Sequence, residues 1–98
     1  MRAAERSDAE RIARIVPIEL DGGCWYALED VCAALRVQRR KCAGLVAEAH
    51  RQRYTQFRRG YRSRRISLID RAGVGAIVIR WSREPRAAVM ARLPTRPP

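Results

Sequence analysis

The apolar positions of this chain come in short blocks separated by turn-forming residues, a pattern that predicts short strands and helices. Residues 1–11 are polar and mixed in charge. Ser7 followed by Glu10 is either a capping box for a short helix or part of a frayed end, and the expectation taken for 1–11 is a flexible N-terminus. Ile12 to Leu20 is rich in Ile and Val, and Asp21, Gly22 and Gly23 give a strong turn signal before Cys24-Trp-Tyr-Ala27. This predicts a β-hairpin, with Pro17 placing its first strand at an edge or a bulge because proline cannot donate to a ladder. Leu28, Val31, Cys32 and Leu35 then repeat at helical spacing, predicting a helix over Leu28–Arg36 with Glu29 and Asp30 in its first turn. Cys42, Leu45, Val46 and Ala49 repeat that spacing and predict a second helix over Gln38–Arg51.

From Arg51 to Arg65 the pattern predicts strand, turn, strand, with the bend at Arg59-Gly60. Pairing about that bend places Thr55 and Phe57 on a face with Ile66 and Leu68, and Tyr54, Gln56, Arg58, Tyr61 and Arg65 largely on the other. Ser67–Trp81 is balanced: Val74, Ile77, Val78 and Ile79 suit a strand, whereas the helical spacing of Ile69, Ala72, Gly73, Ala76, Ile77 and Arg80, with Asp70 as cap, suits a helix. Ser82 to Pro85 reads as the next helix start, with Ser82 as cap, Pro85 in the first turn, and Ala87–Leu93 completing the helix. Pro94–Pro98 is a disordered tail. The fold class expected is α+β: a small antiparallel sheet, built from the N-terminal hairpin and the basic central hairpin, packed with three to four short helices. One domain over residues 12–93 suits a chain of 98 residues.

Charge changes the picture. Residues 36–65 hold eleven basic side chains against one acid, Glu48, so this segment alone carries +10 of the chain's net +11. Residues 1–35 sum to −3 and residues 66–98 to +4. Guanidinium groups at that density repel one another, and they are expected to share one surface where a polyanion relieves the repulsion. With 20 arginines and one lysine, the Arg/Lys ratio alone is what a GC-rich genome yields; the clustering is not. Arg51, Arg53, Arg58, Arg59, Arg62, Arg64 and Arg65 are the candidate phosphate contacts. Arg39, Arg40 and Lys41 are expected to clamp the neighbouring backbone, and Gln56 and Tyr61 to reach bases or sugars. The expected partner is double-stranded DNA, with a homodimer and a regulator protein as further partners and no membrane.

Other chemistry is thin. Cys24, Cys32 and Cys42 form no CxxC pair and leave one thiol over in any disulfide scheme, so reduced cysteines in a cytoplasmic protein are expected. His50 stands alone, which speaks against a zinc site. Neither a glycine-rich phosphate loop nor an acid–base pair appears, so no enzyme, no cofactor and no metal are expected. The N-terminus lacks an apolar signal core, and the apolar run Ala72–Ile79 is far too short to span a bilayer. Tyr54, Phe57 and Tyr61 are too scattered for an RNA-stacking platform.

The order of these motifs resembles the Bro-N domain of phage antirepressor-like and viral Bro proteins. Trp25-Tyr-Ala-Leu-Glu-Asp30-Val31-Cys-Ala-Ala-Leu35 is similar to that family's aromatic strand entering a helix. A basic central segment follows, then Ile69-Asp70-Arg-Ala-Gly73 opening an apolar helix that ends at Arg80, and then Ser82-Arg-Glu-Pro85-Arg-Ala87. The match runs from about Ile18 to Leu93, with Trp81 as an insertion before the serine. The resemblance implies an antiparallel sheet flanked by helices, favours a helix over Ser67–Trp81, and implies DNA binding in a phage or prophage setting. An antirepressor-like inhibitor that captures a host or phage regulator is the alternative.

Overall fold

The computed structural model describes residues 6–41, 52–59 and 62–96, with side chains for all of these except 52–59 and 62–65. It is an α+β fold. Helix α1 (Asp8–Ile12) leads into strands β1 (Ile18–Leu20) and β2 (Gly23–Ala27), followed by α2 (Leu28–Leu35). The long strands β3 (Gln52–Arg59) and β4 (Arg62–Ile69) come next, then α3 (Arg71–Trp81) and α4 (Arg86–Arg92). All strand pairs are antiparallel, in the order β1-β2-β4-β3.

The first hairpin closes where the sequence placed its turn. Asp21 and Gly22 both take positive φ, 52° and 75°, which a two-residue type I′ turn requires of its central pair. The strand is shorter than its apolar composition predicts. Pro17 offers no N–H, so pairing starts only at Ile18, and Ile12 is instead the buried end of α1.

The frayed-end alternative for residues 1–11 is not the one observed from Ser7 onward. The Ser7 hydroxyl accepts from the Glu10 N–H at 3.1 Å, closing the cap of α1. The Glu84 carboxylate then accepts from the Asp8 and Ala9 N–H groups at 2.5 and 3.3 Å, a negative group on the positive end of the helix. A boundary at residue 12 therefore cuts through a helix that packs on α2 and α4. Arg11 ties the same corner together, donating to the Ala34 and Arg6 carbonyls and pairing with Asp8.

Helix α2 ends at Leu35 because Arg36 enters the left-handed region at φ 58°, a C-cap conformation found here without glycine. Residues 39–41 are again helical; the rest of the second helix expected over Gln38–Arg51, including Cys42 and His50, lies outside the described residues. The balanced stretch from Ser67 to Trp81 divides: strand to Ile69, then helix. Asp70 marks the switch, its Oδ1 accepting from the Gly73 N–H at 2.8 Å. Ser82 does not cap the last helix. Its N–H closes α3 on the Val78 carbonyl at 2.9 Å, and its hydroxyl donates to Asp8 and accepts from the Glu84 N–H. The hydroxyl is thereby committed, and Pro85 takes the N-cap position of α4.

The sheet is buried on both faces. Tyr26 and Ile69 join Ile12, Leu28, Val31, Val74, Ile77 and Val89 in the main core beneath the helices. Trp25, Ala27, Ile66 and Leu68 form a second cluster on the opposite face, joined by Ile18 and Leu20. Trp25 is thus a core aromatic. Of the proposed tail, Pro94 is held: its carbonyl accepts from the Tyr26 hydroxyl at 2.5 Å.

Replacing Glu84 by Ala leaves two helix-start N–H groups without their acceptor and is expected to cost about 1–2 kcal/mol, read as a lowered urea midpoint. A second expectation concerns alkaline pH. Burial, then the neighbouring Cys24 thiol, push the Tyr26 phenol well above its ordinary value of 10.0, with Arg71 acting in the opposite sense. The fold therefore favours the protonated phenol. Its contribution is complete below pH 10 and fades as pH rises beyond that value. Urea midpoints between pH 8 and 11 should fall above about pH 10 for the parent, and less steeply for Tyr26→Phe.

Candidate nucleic-acid interface

The basic central segment folds as the strand pair expected of it. Eight residue pairs run from Gln52↔Ile69 to Arg59↔Arg62. Only the first two abut another strand, because β4 meets β2 solely at Tyr26↔Ile69 and Ala27↔Leu68. Among the described side chains of β4, Ile66, Ser67, Leu68 and Ile69 are buried. Past Ile66, four pairs extend beyond the last contact with β2: Gln56↔Arg65, Phe57↔Arg64, Arg58↔Ser63 and Arg59↔Arg62. At the usual strand rise these four pairs make an arm of roughly 13 Å. Five of its eight residues are arginines and none is acidic.

The register sorts the candidates into two rows. Positions 53, 55, 57 and 59 pair with 68, 66, 64 and 62, so Arg53, Thr55, Phe57, Arg59, Arg62 and Arg64 share a face with Ile66 and Leu68. Gln56, Arg58 and Arg65 share the other face with Ser67 and Ile69. The grouping of Thr55 and Phe57 with Ile66 and Leu68 is as the sequence implied. The expectation that the arginines share one surface is not met. Consecutive arginines such as Arg58 and Arg59, or Arg64 and Arg65, necessarily take opposite faces of a strand, so the register divides them between both faces of the ribbon. Arg51 and Tyr61 lie outside the described residues.

Of Arg39, Arg40 and Lys41, Arg39 is brought to the base of this arm. The Arg39 guanidinium donates through Nη2 to the Ser67 hydroxyl at 3.2 Å, satisfying the one buried polar side chain among those described in β4. Ser67 stands opposite Tyr54, which places Arg39 at the foot of the face that holds Gln56, Arg58 and Arg65. Arg40 is braced by Gln38, its Nε donating to Oε1 at 3.1 Å. Lys41 carries its ammonium 5.8 Å from the centre of the Trp81 ring, at the end of α3. Arg80 sits 5.3 Å from the same ring. Ser67, Arg80 and Trp81 are not among the residues that sequence alone singles out. The cue for the last two is a cation beside an aromatic at a helix end, and it emerges only once α3 is known to be a helix.

Carboxylates occupy other places. Asp8 pairs with Arg11, Glu84 holds the start of α1, and Asp70 caps α3. Cys24 and Cys32 form no disulfide. Among the described residues, no group of three or more His, Cys, Asp or Glu side chains is placed to hold a metal ion. No helix among them is long and apolar enough to cross a membrane.

No family model, no curated protein and no solved structure matches this chain. The case for the interface therefore rests on its charge and geometry.

Leu68, with no exposed surface, sits in the row where the arm joins the sheet. Leu68→Ala is expected to cost about 2–5 kcal/mol. Amide exchange should quicken first in β4, because the arm has one other pair, at Ile69, holding it to β2.

Proposed function

We propose that the chain is a double-stranded DNA-binding protein acting in gene regulation, with the β3–β4 arm as its contact element. The observation that carries this reading is the five-arginine, acid-free tip of a ribbon that runs past the body of the sheet. A two-stranded ribbon with side chains on both faces is about 10 Å thick, and the major groove is about 12 Å wide. A ribbon standing edge-on in that groove turns each face toward one of the two phosphate backbones. Arginines on both faces then have a purpose that a flat, one-sided binding surface does not supply.

In this arrangement Arg59, Arg62 and Arg64 serve one wall of the groove and Arg58 and Arg65 the other. Gln56 and Tyr61 are the candidates for base or sugar contacts, and Arg39, Arg40 and Lys41 hold the backbone outside the groove. Phosphate contacts set position and salt dependence; base contacts, where made, set sequence preference. The motif order that resembles the Bro-N domain supports a phage or prophage regulatory setting.

The test is a salt titration of duplex binding by fluorescence anisotropy. If about five phosphates are neutralised, log K falls against log salt with a slope near −4.5, a loss of about 10²–10³ in affinity between 50 and 200 mM. Replacing Arg58, Arg59, Arg62 and Arg64 together by Gln removes about 3.6 of that slope. A flat salt response, or no duplex binding at 50 mM, removes the proposal. Capture of a regulator protein by a chain that binds no DNA establishes the antirepressor-like alternative.

A further inference from the structure

We propose that Lys41 and Arg80, mounted together on Trp81, form a second phosphate-binding point that takes the DNA backbone beside the groove entered by the arm. This rests on the DNA-binding reading and adds to it a site on α3. The two cations approach one indole ring from separate parts of the chain, at 5.8 and 5.3 Å from its centre. They are therefore no more than the sum of those distances, 11.1 Å, apart. Both are exposed, and among the described residues no carboxylate pairs with either.

An aromatic face attracts each cation but does nothing to cancel the repulsion between them. An anion between or above them does. Trp81 adds a second sign of an incomplete site: its Nε1 is buried and among the described residues has no hydrogen-bond partner, which is uncommon for an indole N–H. A phosphate oxygen that draws either cation off the ring brings an acceptor to that donor.

Position selects the phosphate's source. Arg39 is bound to Ser67 on β4, and Lys41 lies two residues further along, within about 7 Å of chain. The Trp81 site thus adjoins the short helical stretch 39–41 that Arg39 ties to β4 at Ser67. A duplex seated on the arm passes its flanking backbone over this point, whereas a free mononucleotide gains nothing from the arm. Trp81 itself holds two extended, flexible cations in place before the polyanion arrives.

The experiment compares the parent chain with K41Q/R80Q, using a labelled duplex of about 20 base pairs across 50–200 mM salt. Two phosphate contacts contribute about 1.8 to the salt slope, so the double variant is expected to lose about that much and to bind roughly 10-fold more weakly at 100 mM. The control pair R14Q/R92Q removes the same charge from exposed positions beside α1 and on α4 and should change the slope by less than half as much. Thermal unfolding of all three proteins checks that the fold is intact. If the parent binds and K41Q/R80Q keeps its slope, or loses no more than R14Q/R92Q, the Trp81 site is overturned while the arm stands. If the parent binds no duplex at 50 mM, both fall together.

Discussion

The structure depends on a junction two residue pairs wide. Tyr26↔Ile69 and Ala27↔Leu68 are the whole of the pairing between the first hairpin and the long one. All four side chains are at most 2% exposed. Because neighbouring positions on a strand face opposite ways, this short seam feeds both sides of the sheet at once. Tyr26 and Ile69 enter the core under the helices, and Ala27 and Leu68 enter the cluster on the reverse. Burial of this kind contributes about 1.5–3 kcal/mol per large apolar side chain. The grip is thus strong for its length, and it leaves most of β3 and β4 free of other strands. A wider seam would bury the arginines; a narrower one would not fix the direction of the arm.

Charge is divided along the same line. In the helical half, the carboxylates of Asp8, Asp70 and Glu84 are committed to helix starts and to one arginine. This binds the first and last helices to each other and gives the body a closed set of polar contacts. On the other side of the junction lie the five arginines of the arm, part of a segment, residues 36–65, with a net charge of +10. The neutral backbone ladder of β3 and β4 and the apolar anchors at its base hold this arm, and on the proposed reading its arginines meet a polyanion.

Much of the architecture is legible in the sequence, and the failures share a cause. The turn at Asp21 and Gly22, the α2 face of Leu28, Val31, Cys32 and Leu35, and the bend after Arg59 are local signals with strong backbone preferences. They read correctly because nothing distant competes with them. Glu84 is the opposite case. It lies 76 residues from Asp8, whose N–H it receives, and no local pattern announces a helix start capped from so far along the chain. The same contact explains why Ser82 is no cap despite its cap-like setting: its hydroxyl is spent on Asp8 and Glu84. Of the interface, the arginine cluster and its hairpin are visible in the sequence. The place of Gln56, Arg58 and Arg65 on the face opposite Thr55 and Phe57 is read from alternation alone, whereas that of Arg59, Arg62 and Arg64 follows only once the hairpin register is fixed at Arg59↔Arg62. Arg80 and Trp81 are hidden because the pattern over Ser67–Trp81 is balanced between strand and helix.

The central claim is that the arm, and not the helical body, meets DNA. It is tested most directly by following the backbone amide resonances of the labelled protein as duplex DNA is added. The account predicts shifts concentrated in Gln52–Ile69, residues 39–41 and the end of α3, with α1 and α4 unchanged. Shifts centred on α1 and α4, with β3 and β4 left as they were, would contradict it.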